Sequence, residues 1–315
     1  MARGKTKFEK IVLVRRKTML EELTARFNTP AQARFYLEHA GQVFEPIEQA
    51  HNQYHQVLKS VREWLPEKVK NHVIDRDYLP QFVFNEDDLV VTVGIDGLVV
   101  NTAKYTTSQP ILAVNPDPKT IDGILLPFTS ETFPIGLESV MRGEEKIRKV
   151  TMAKVMLQDK QELLAFNDFF IGAKSHVSAR YEIQQGSARE MHSSSGIIIS
   201  TGAGSTGWLQ SVYTGAAGII TSLGGHVVPP PNNGRFDWDA DWLIYSVREP
   251  FPSKVTRTSM IYGVIHPDKP LKVTSNMAEN GVIFSDGIES DYLNFNSGTE
   301  ATVTLADHKA SLVVC

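Results

Sequence analysis

The chain has one cysteine in 315 residues, and it is the last, Cys315. Disulfides within the chain and cysteine-ligated metal sites are thereby excluded, and a reducing compartment, the cytoplasm, fits. No apolar run approaches the roughly 20 residues that a membrane-spanning helix needs, so no membrane partner is expected. The basic start passes at once into the strand-like Ile11-Val12-Leu13-Val14 and leaves no room for a secretory apolar segment. Positive charge is not in excess. With 32 Lys and Arg against 36 Asp and Glu, the net charge of −4 argues against nucleic acid as the partner. Charge of either sign is missing from residues 191 to 234.

At the centre of that uncharged stretch lies Gly196-Ile-Ile-Ile-Ser-Thr-Gly-Ala-Gly-Ser-Thr-Gly-Trp208. A β-branched run that breaks into glycines and hydroxyls reads as a buried strand ending in a loop whose backbone can approach a phosphate or nucleotide. Gly202, Gly204 and Gly207 satisfy G-x-G-x-x-G, ahead of a helix beginning near Trp208. A dinucleotide-binding strand–helix unit for hydride transfer needs an acidic residue about 20 positions on. None occurs between Glu190 and Asp237. Gly-x-Ser-x-Gly, the hydrolase signature, is also absent around Ser205. Among nine histidines only His51 and His55 stand four apart on a predicted helix. The sequence offers them no third ligand, and a solvated helix face is the expected outcome, with no metal site.

Strand signals at residues 9–14, 73–79, 89–93 and 111–114 alternate with a helical pattern over 20–67. That order predicts an α/β domain with a mostly parallel sheet over 1–125. In such sheets ligands sit beyond the carboxyl ends of strands, where Gly94-Ile95-Asp96-Gly97 and Asn115-Pro-Asp117 fall. A helix over about 130–143 then leads into short β-like runs, including 150–157, 197–200, 282–285 and 301–305. They predict a β-rich domain over 126–315, with a return of the C-terminal end to the first domain left open. Pro229-Pro-Pro-Asn-Asn-Gly234 marks an irregular loop.

Four segments stand in order: Gly94-Ile-Asp96-Gly97-Leu98, Ala165-Phe-Asn167-Asp168, Ser200-Thr201-Gly-Ala-Gly204-Ser-Thr206-Gly207-Trp208, and Ser285-Asp286-Gly287. Together they resemble the NAD kinase family, over about residues 10–305. Pro110-Ile-Leu-Ala-Val-Asn115-Pro-Asp-Pro, Asn167-Asp-Phe-Phe-Ile-Gly172, Ser194-Ser-Gly196 and Ser246-Val-Arg-Glu-Pro250 look closest to its mitochondrial-type branch. The resemblance implies a two-domain fold, an α/β N-terminal domain and a β-rich C-terminal one, with a site between them. It implies transfer of the γ-phosphoryl of ATP, with Mg2+ or another divalent cation, to the 2′-hydroxyl of the adenosine ribose of NAD. It further implies a homodimer or higher homo-oligomer.

By position Asp96 matches the family's catalytic carboxylate, which would orient or deprotonate that hydroxyl. The alternative is a β-turn aspartate ahead of Gly97. Gly94, Gly97 and Asn115 fall in the implied nucleotide site with it. Asn167 and Asp168 match the pair that hydrogen-bonds the ribose, a role suited to a carboxylate that accepts two bonds. Thr201, Gly204, Thr206, Gly207 and Ser211 belong to the implied substrate segment. Trp208 stands at the family's tyrosine, as a base-stacking or simply a packing residue. Asp286 is either a ligand group or the holder of its own turn. Two positions depart from the family: Ile95 replaces a glycine and Leu98 a threonine, both serving donor phosphates there. The sequence therefore also admits a nucleotide-binding homologue with weak or no transfer, or a kinase of another hydroxyl.

Overall fold

The computed structural model describes residues 7–315, so the first six residues of the basic N-terminal segment lie outside the described residues. The chain divides into two compact units. The first runs to Arg148 and takes in Ser311–Cys315, and the second is Lys149–Ala310.

In the first unit β1 (Lys10–Arg15) is followed by α1 (Met19–Phe27), α2 (Pro30–His39) and α3 (Glu45–Trp64). Three helices replace the one long helical pattern because the chain carries its own stops. Thr18 caps α1 in a reciprocal capping box with Glu21. Asn28 then turns left-handed at φ 68°, and Thr29 caps α2 with Pro30 in its first turn. β2 (Lys70–Asp75) stops earlier than the apolar pattern suggests, because Arg76–Gln81, carrying Pro80, tightens into a 3-10 turn. β3 (Asp88–Val93), α4 (Asp96–Ala103), β4 (Pro110–Val114) and α5 (Phe133–Arg142) complete the unit.

The strands are parallel in the order β2-β1-β3-β4. β3 is buried at every residue, as a strand covered on both faces should be. Val57, Leu58 and Val61 of α3, and Phe133, Leu137 and Val140 of α5, pack into the same core as Leu13, Val91 and Val114. That packing of α5 carries the first unit past residue 125 to Arg148. Gly143, left-handed at φ 75°, ends α5.

The second unit holds β5 (Lys146–Leu157, from Lys149 on), β6 (Glu162–Ala165), β7 (Asp168–Ala173), β8 (Ala179–Gln185), β9 (Ala188–Ser194) and β10 (Ile197–Ser200). α6 (Trp208–Ser222), β11 (Leu243–Val247), β12 (Tyr262–Ile265), β13 (Leu271–Ser275), β14 (Gly281–Ser285), β15 (Ile288–Asn294) and β16 (Glu300–Val314) follow. One antiparallel sheet runs β12-β11-β10-β7-β14-β15, and the other contains β16-β13-β8-β9 with β5 and β6. Alternate residues of both sheets, such as Phe169, Ile171, Ile197 and Ile199 on one and Tyr181, Ile183, Val273 and Val303 on the other, form a single core. The last residues of β16 leave this unit, and Ser311 and Leu312 pair in parallel with β4. The fold class is thus an α/β N-terminal unit followed by a β-rich one.

The uncharged stretch is core only in its first half, where Ile197, Ile198 and Ile199 of β10 and the loop to Ser205 are buried. Within α6 only Leu209 is buried, while Ile219 is 65% exposed and Leu223, just past the helix, 83%. No described helix is long and apolar enough to cross a membrane.

Candidate functional site

In the first unit the fully buried β3 delivers the chain to Gly94-Ile95-Asp96-Gly97. The Tyr54 hydroxyl donates to Val93 O at 3.1 Å and accepts from Arg16 N at 3.1 Å, which fixes where the strand ends. Asp96 is the first residue of α4, so the β-turn alternative does not hold. A carboxylate there is favoured by the helix dipole. Its Oδ1 accepts from Leu125 N at 2.7 Å. A Cβ on Gly97 would meet no atom within 4 Å, so the backbone beside Asp96 is open.

The two departures behave differently. Leu98 is 1% exposed and packs into the interior, where its Cδ2 would lie 2.9 Å from a Cβ on Gly94. Ile95 is 36% exposed and lines a cavity of about 270 Å³ with Gly94, Arg16, Thr18, His51, Asp117 and Thr120. Asn115 is buried and spends its amide on the loop: Nδ2 donates to Ile121 O at 2.9 Å and Oδ1 accepts from Asp117 N at 2.9 Å. It shapes the cavity's rim, which Asp117 and Thr120 form directly.

In the second unit the resemblance's remaining segments converge. Asp286 and Gly287 are the two residues of the β14–β15 hairpin, both left-handed at φ 54° and 69°, as a tight Asp-Gly turn requires. The Asp286 carboxylate accepts from three consecutive backbone N–H groups, Phe166 at 2.9 Å, Asn167 at 2.6 Å and Asp168 at 3.2 Å. Asp286 therefore holds the Asn167-Asp168 turn as well as its own. Thr201, fully buried, adds a second clamp: its Oγ1 donates to Phe166 O at 2.6 Å and accepts from Gly204 N at 3.2 Å.

Two glycines of this loop sit too close to neighbouring backbone to carry a side chain. A Cβ on Gly204 would sit 2.1 Å from Asn167 O, and one on Gly202 would sit 1.9 Å from Asp237 O. They let main chain pack on main chain. Thr206, Gly207 and Ser211 are exposed, and Ser211 Oγ donates back to Gly207 O at 3.4 Å.

These clamps present Asp168 to a cavity of about 530 Å³ within the second unit, a size suited to a nucleotide-like ligand. Trp208 and Asp286 line it too, together with Phe170, Arg248 and Glu249 of the quoted motifs, to which the sequence assigned no role, and with Lys174, His176, Phe284 and Glu289, which it did not single out. Phe170 stacks on Trp208 with centroids 5.8 Å apart and planes at 20°, and on Phe284 at 6.3 Å and 18°. The Arg248 guanidinium lies 5.5 Å over the Trp208 ring. Gly172 and Gly196 make room for this wall, since a Cβ on either would come within 2.6 Å of the Phe170 ring. Ser195 donates to Glu249, which itself turns left-handed at φ 49°. The cavity thus has an aromatic wall, two cations and a cluster of carboxylates.

Burial raises the Asp168 pKa to about 7, and the neighbouring Asp286 charge adds to the shift. Asp286 holds three N–H donors, so the proton goes to Asp168. A carboxyl raised in the folded state leaves stability intact below its unfolded value of 3.8 and removes it as pH rises through about 7. Asp168→Asn, which does not titrate, is expected to gain melting temperature over the wild type progressively between about pH 4 and pH 7. Melting curves across that range check this; a constant difference would contradict it.

No protein-family model matches the chain. NAD kinases from several strains of Saccharolobus islandicus, among them M.14.25 / Kamchatka #1 and M.16.27, are 26% identical over 152 residues, which cover 46% of this chain and 55% of theirs. The chain thus matches little more than half the length of these curated relatives. Yeast NADH kinase complexed with NADH superimposes over 100% of this chain and 88% of its own, with a TM-score of 0.59 and 15% identity. An NAD kinase from Archaeoglobus fulgidus in complex with ATP covers 96% of this chain and 92% of its own, at 0.55 and 16%. The fold is that of NAD kinases. Within that NAD kinase fold Asp96 opens α4 of the first unit, and Asp168, Trp208 and Asp286 line the cavity of the second.

The structure also supplies what the histidine pair lacked. Glu21 of α1 stands beside His51 and His55 of α3.

Proposed function

We propose that the protein is an NAD kinase, transferring the γ-phosphoryl of ATP to the 2′-hydroxyl of the adenosine ribose of NAD to give NADP. The observation that carries this reading is the clamped Asn167-Asp168 turn facing an aromatic- and arginine-lined cavity. An ionised carboxylate accepts from vicinal hydroxyls, the Trp208 and Phe170 rings offer a stacking face for a base, and Arg248 and Lys174 suit a pyrophosphate. The Saccharolobus NAD kinases and the NADH- and ATP-bound neighbours support the same assignment. In the reaction the ribose oxygen forms a bond to the γ-phosphorus, the bond from that phosphorus to the β–γ bridging oxygen breaks, and ADP leaves. Asp96 takes the hydroxyl proton. Mg2+ or another divalent cation would enter with the donor phosphates and neutralise their charge. The Asp117 carboxylate, which lines the first unit's cavity, is an oxygen ligand of the kind a hard cation takes.

The remaining particulars belong to the same proposal. The mitochondrial-type motifs place Phe170, Gly172, Gly196, Arg248 and Glu249 in or against the cavity wall, which supports that branch. A cytoplasmic site of action accords with the lone Cys315. A homodimer or higher oligomer is supported by the exposed, uncharged α6, whose Ile219, Ile220 and neighbouring Leu223 suit a second copy of the same chain. Light scattering at micromolar concentration is expected to give at least twice 35.1 kDa; the monomer mass would refute the oligomer.

A second reading, a nucleotide binder with weak or absent transfer, draws on Ile95 in the first unit's cavity and on Leu98 in its interior. Both readings share the NAD cavity. Tryptophan fluorescence should therefore be quenched on titration with NAD, with the share due to Trp208 among the four tryptophans read from Trp208→Phe. Asp168→Ala should weaken binding by about 1–3 kcal/mol, the contribution of charged hydrogen bonds. Wild-type affinity in that variant would defeat both readings at the cavity.

A further inference from the structure

Two helices of the first unit bring together three side chains that the proposed function leaves unused. His51 and His55 lie one turn apart on α3, with ring centroids 4.4 Å apart and planes at 56°. Glu21, in the first turn of α1, places Oε1 3.4 Å from His55 Nε2. One ligand atom from each of the three residues lies within 4.8 Å of the other two. We propose that Glu21, His51 and His55 form a binding site for a divalent transition-metal ion of the zinc class.

Two histidines four apart on one helix face are a chelating pair, and a carboxylate from a second element completes a three-ligand set. Tetrahedral bonds of about 2.0–2.2 Å put neighbouring ligand atoms roughly 3.3 Å apart. The Glu21–His55 pair already has that spacing, and side-chain rotation closes the remainder. Two imidazoles with one carboxylate select zinc or a similar ion over magnesium, which demands oxygen ligands.

The surroundings are those of a supported site. Thr18 N donates to Glu21 Oε2 at 2.7 Å, and Thr18 Oγ1 lies 2.7 Å from His51 Nδ1, so one residue orients two of the three ligands. His55 Nε2 is shielded from solvent and takes no hydrogen bond among the described residues. Arg15 is the cation an ion would displace: its terminal Nη1 lies 3.5 Å from Glu21 Oε1, and its Nε stays paired with Asp75 Oδ1 at 2.6 Å.

An ion here would tie α1 to α3. α1 itself buries only Leu20, so such a tie changes how firmly it is held. Thr18 and His51 also line the cavity that contains Gly94 and Ile95, which puts the ion at the edge of that cavity. Water would complete the coordination shell.

The test is titration of zinc into metal-stripped, full-length protein, followed by calorimetry and thermal melting, with magnesium as control. One zinc per chain and a raised melting temperature are expected. His55→Gln, which removes a nitrogen with no hydrogen bond to lose, should weaken binding at least about tenfold, roughly 1.4 kcal/mol, and abolish the thermal shift. Glu21→Gln, which keeps an acceptor for Thr18 N, should do the same and serves if the first variant fails to fold. No zinc binding by the wild type, or equal binding by the variants, overturns the site. NAD binding is read separately by tryptophan fluorescence, so either result stands apart from the kinase proposal.

Discussion

Replacing Asp96 with asparagine is expected to lower NADP formation by about 10²- to 10⁴-fold, the loss typical of a removed general base. The fold should not notice. The hydrogen bond that the Asp96 side chain makes is as acceptor from Leu125 N, through Oδ1, and an asparagine oxygen can take that bond. The exchange does remove a negative charge from the first turn of α4, a loss of about 0.3–1 kcal/mol in the macrodipole interaction. NAD affinity should stay at the wild-type value, because the cavity of the second unit keeps Asp168, Trp208 and Arg248. Steady-state turnover together with a fluorescence titration separates the two effects. Full turnover in the variant would remove Asp96 from the chemistry.

The second large effect falls on stability. Gly204→Ala is expected to destabilise the protein by more than about 3 kcal/mol, at the severe end of overpacking. A methyl there would meet Asn167 O at 2.1 Å and Asn167 C at 2.6 Å, both main-chain atoms already tied down by Thr201 and Asp286. Gly97→Ala is the matched control. It meets nothing within 4 Å and sits inside α4, so its stability should change by less than about 1 kcal/mol, on the side of a gain. Urea unfolding of the two variants distinguishes a glycine that packs backbone on backbone from one that leaves backbone open. Equal stabilities would contradict the contact.

Much of this site was legible along the chain because its signals are local. A β-branched run breaking into glycines predicted β10 and its loop. Asp286-Gly287 announced a tight turn. What stayed hidden depends on contacts between distant residues. Arg248 reaches Trp208 only because β11 pairs with β10. Glu21 joins His51 and His55 only because α1 packs beside α3, so the pair seemed to lack a third ligand. Gly204 looked like a phosphate-approach glycine, whereas the atom it approaches is Asn167 O. The missing charge from 191 to 234 suggested either a core or an interface, and composition gives the same signal for both. The structure divides it: Ile197 and Ile199 are core, whereas Ile219 and Leu223 are exposed.

One incubation tests most directly whether the protein forms NADP and whether Asp96 is needed for it. Purified protein with NAD, ATP and magnesium is sampled over time, and NADP is measured enzymatically, with Asp96→Asn run in parallel. NADP is expected to accumulate with stoichiometric ADP in the wild type, at a turnover in the range of about 1–100 per second usual for kinases, and its rate of formation to fall at least about a hundredfold in the variant. NADP no higher in the wild type than in Asp96→Asn would contradict it.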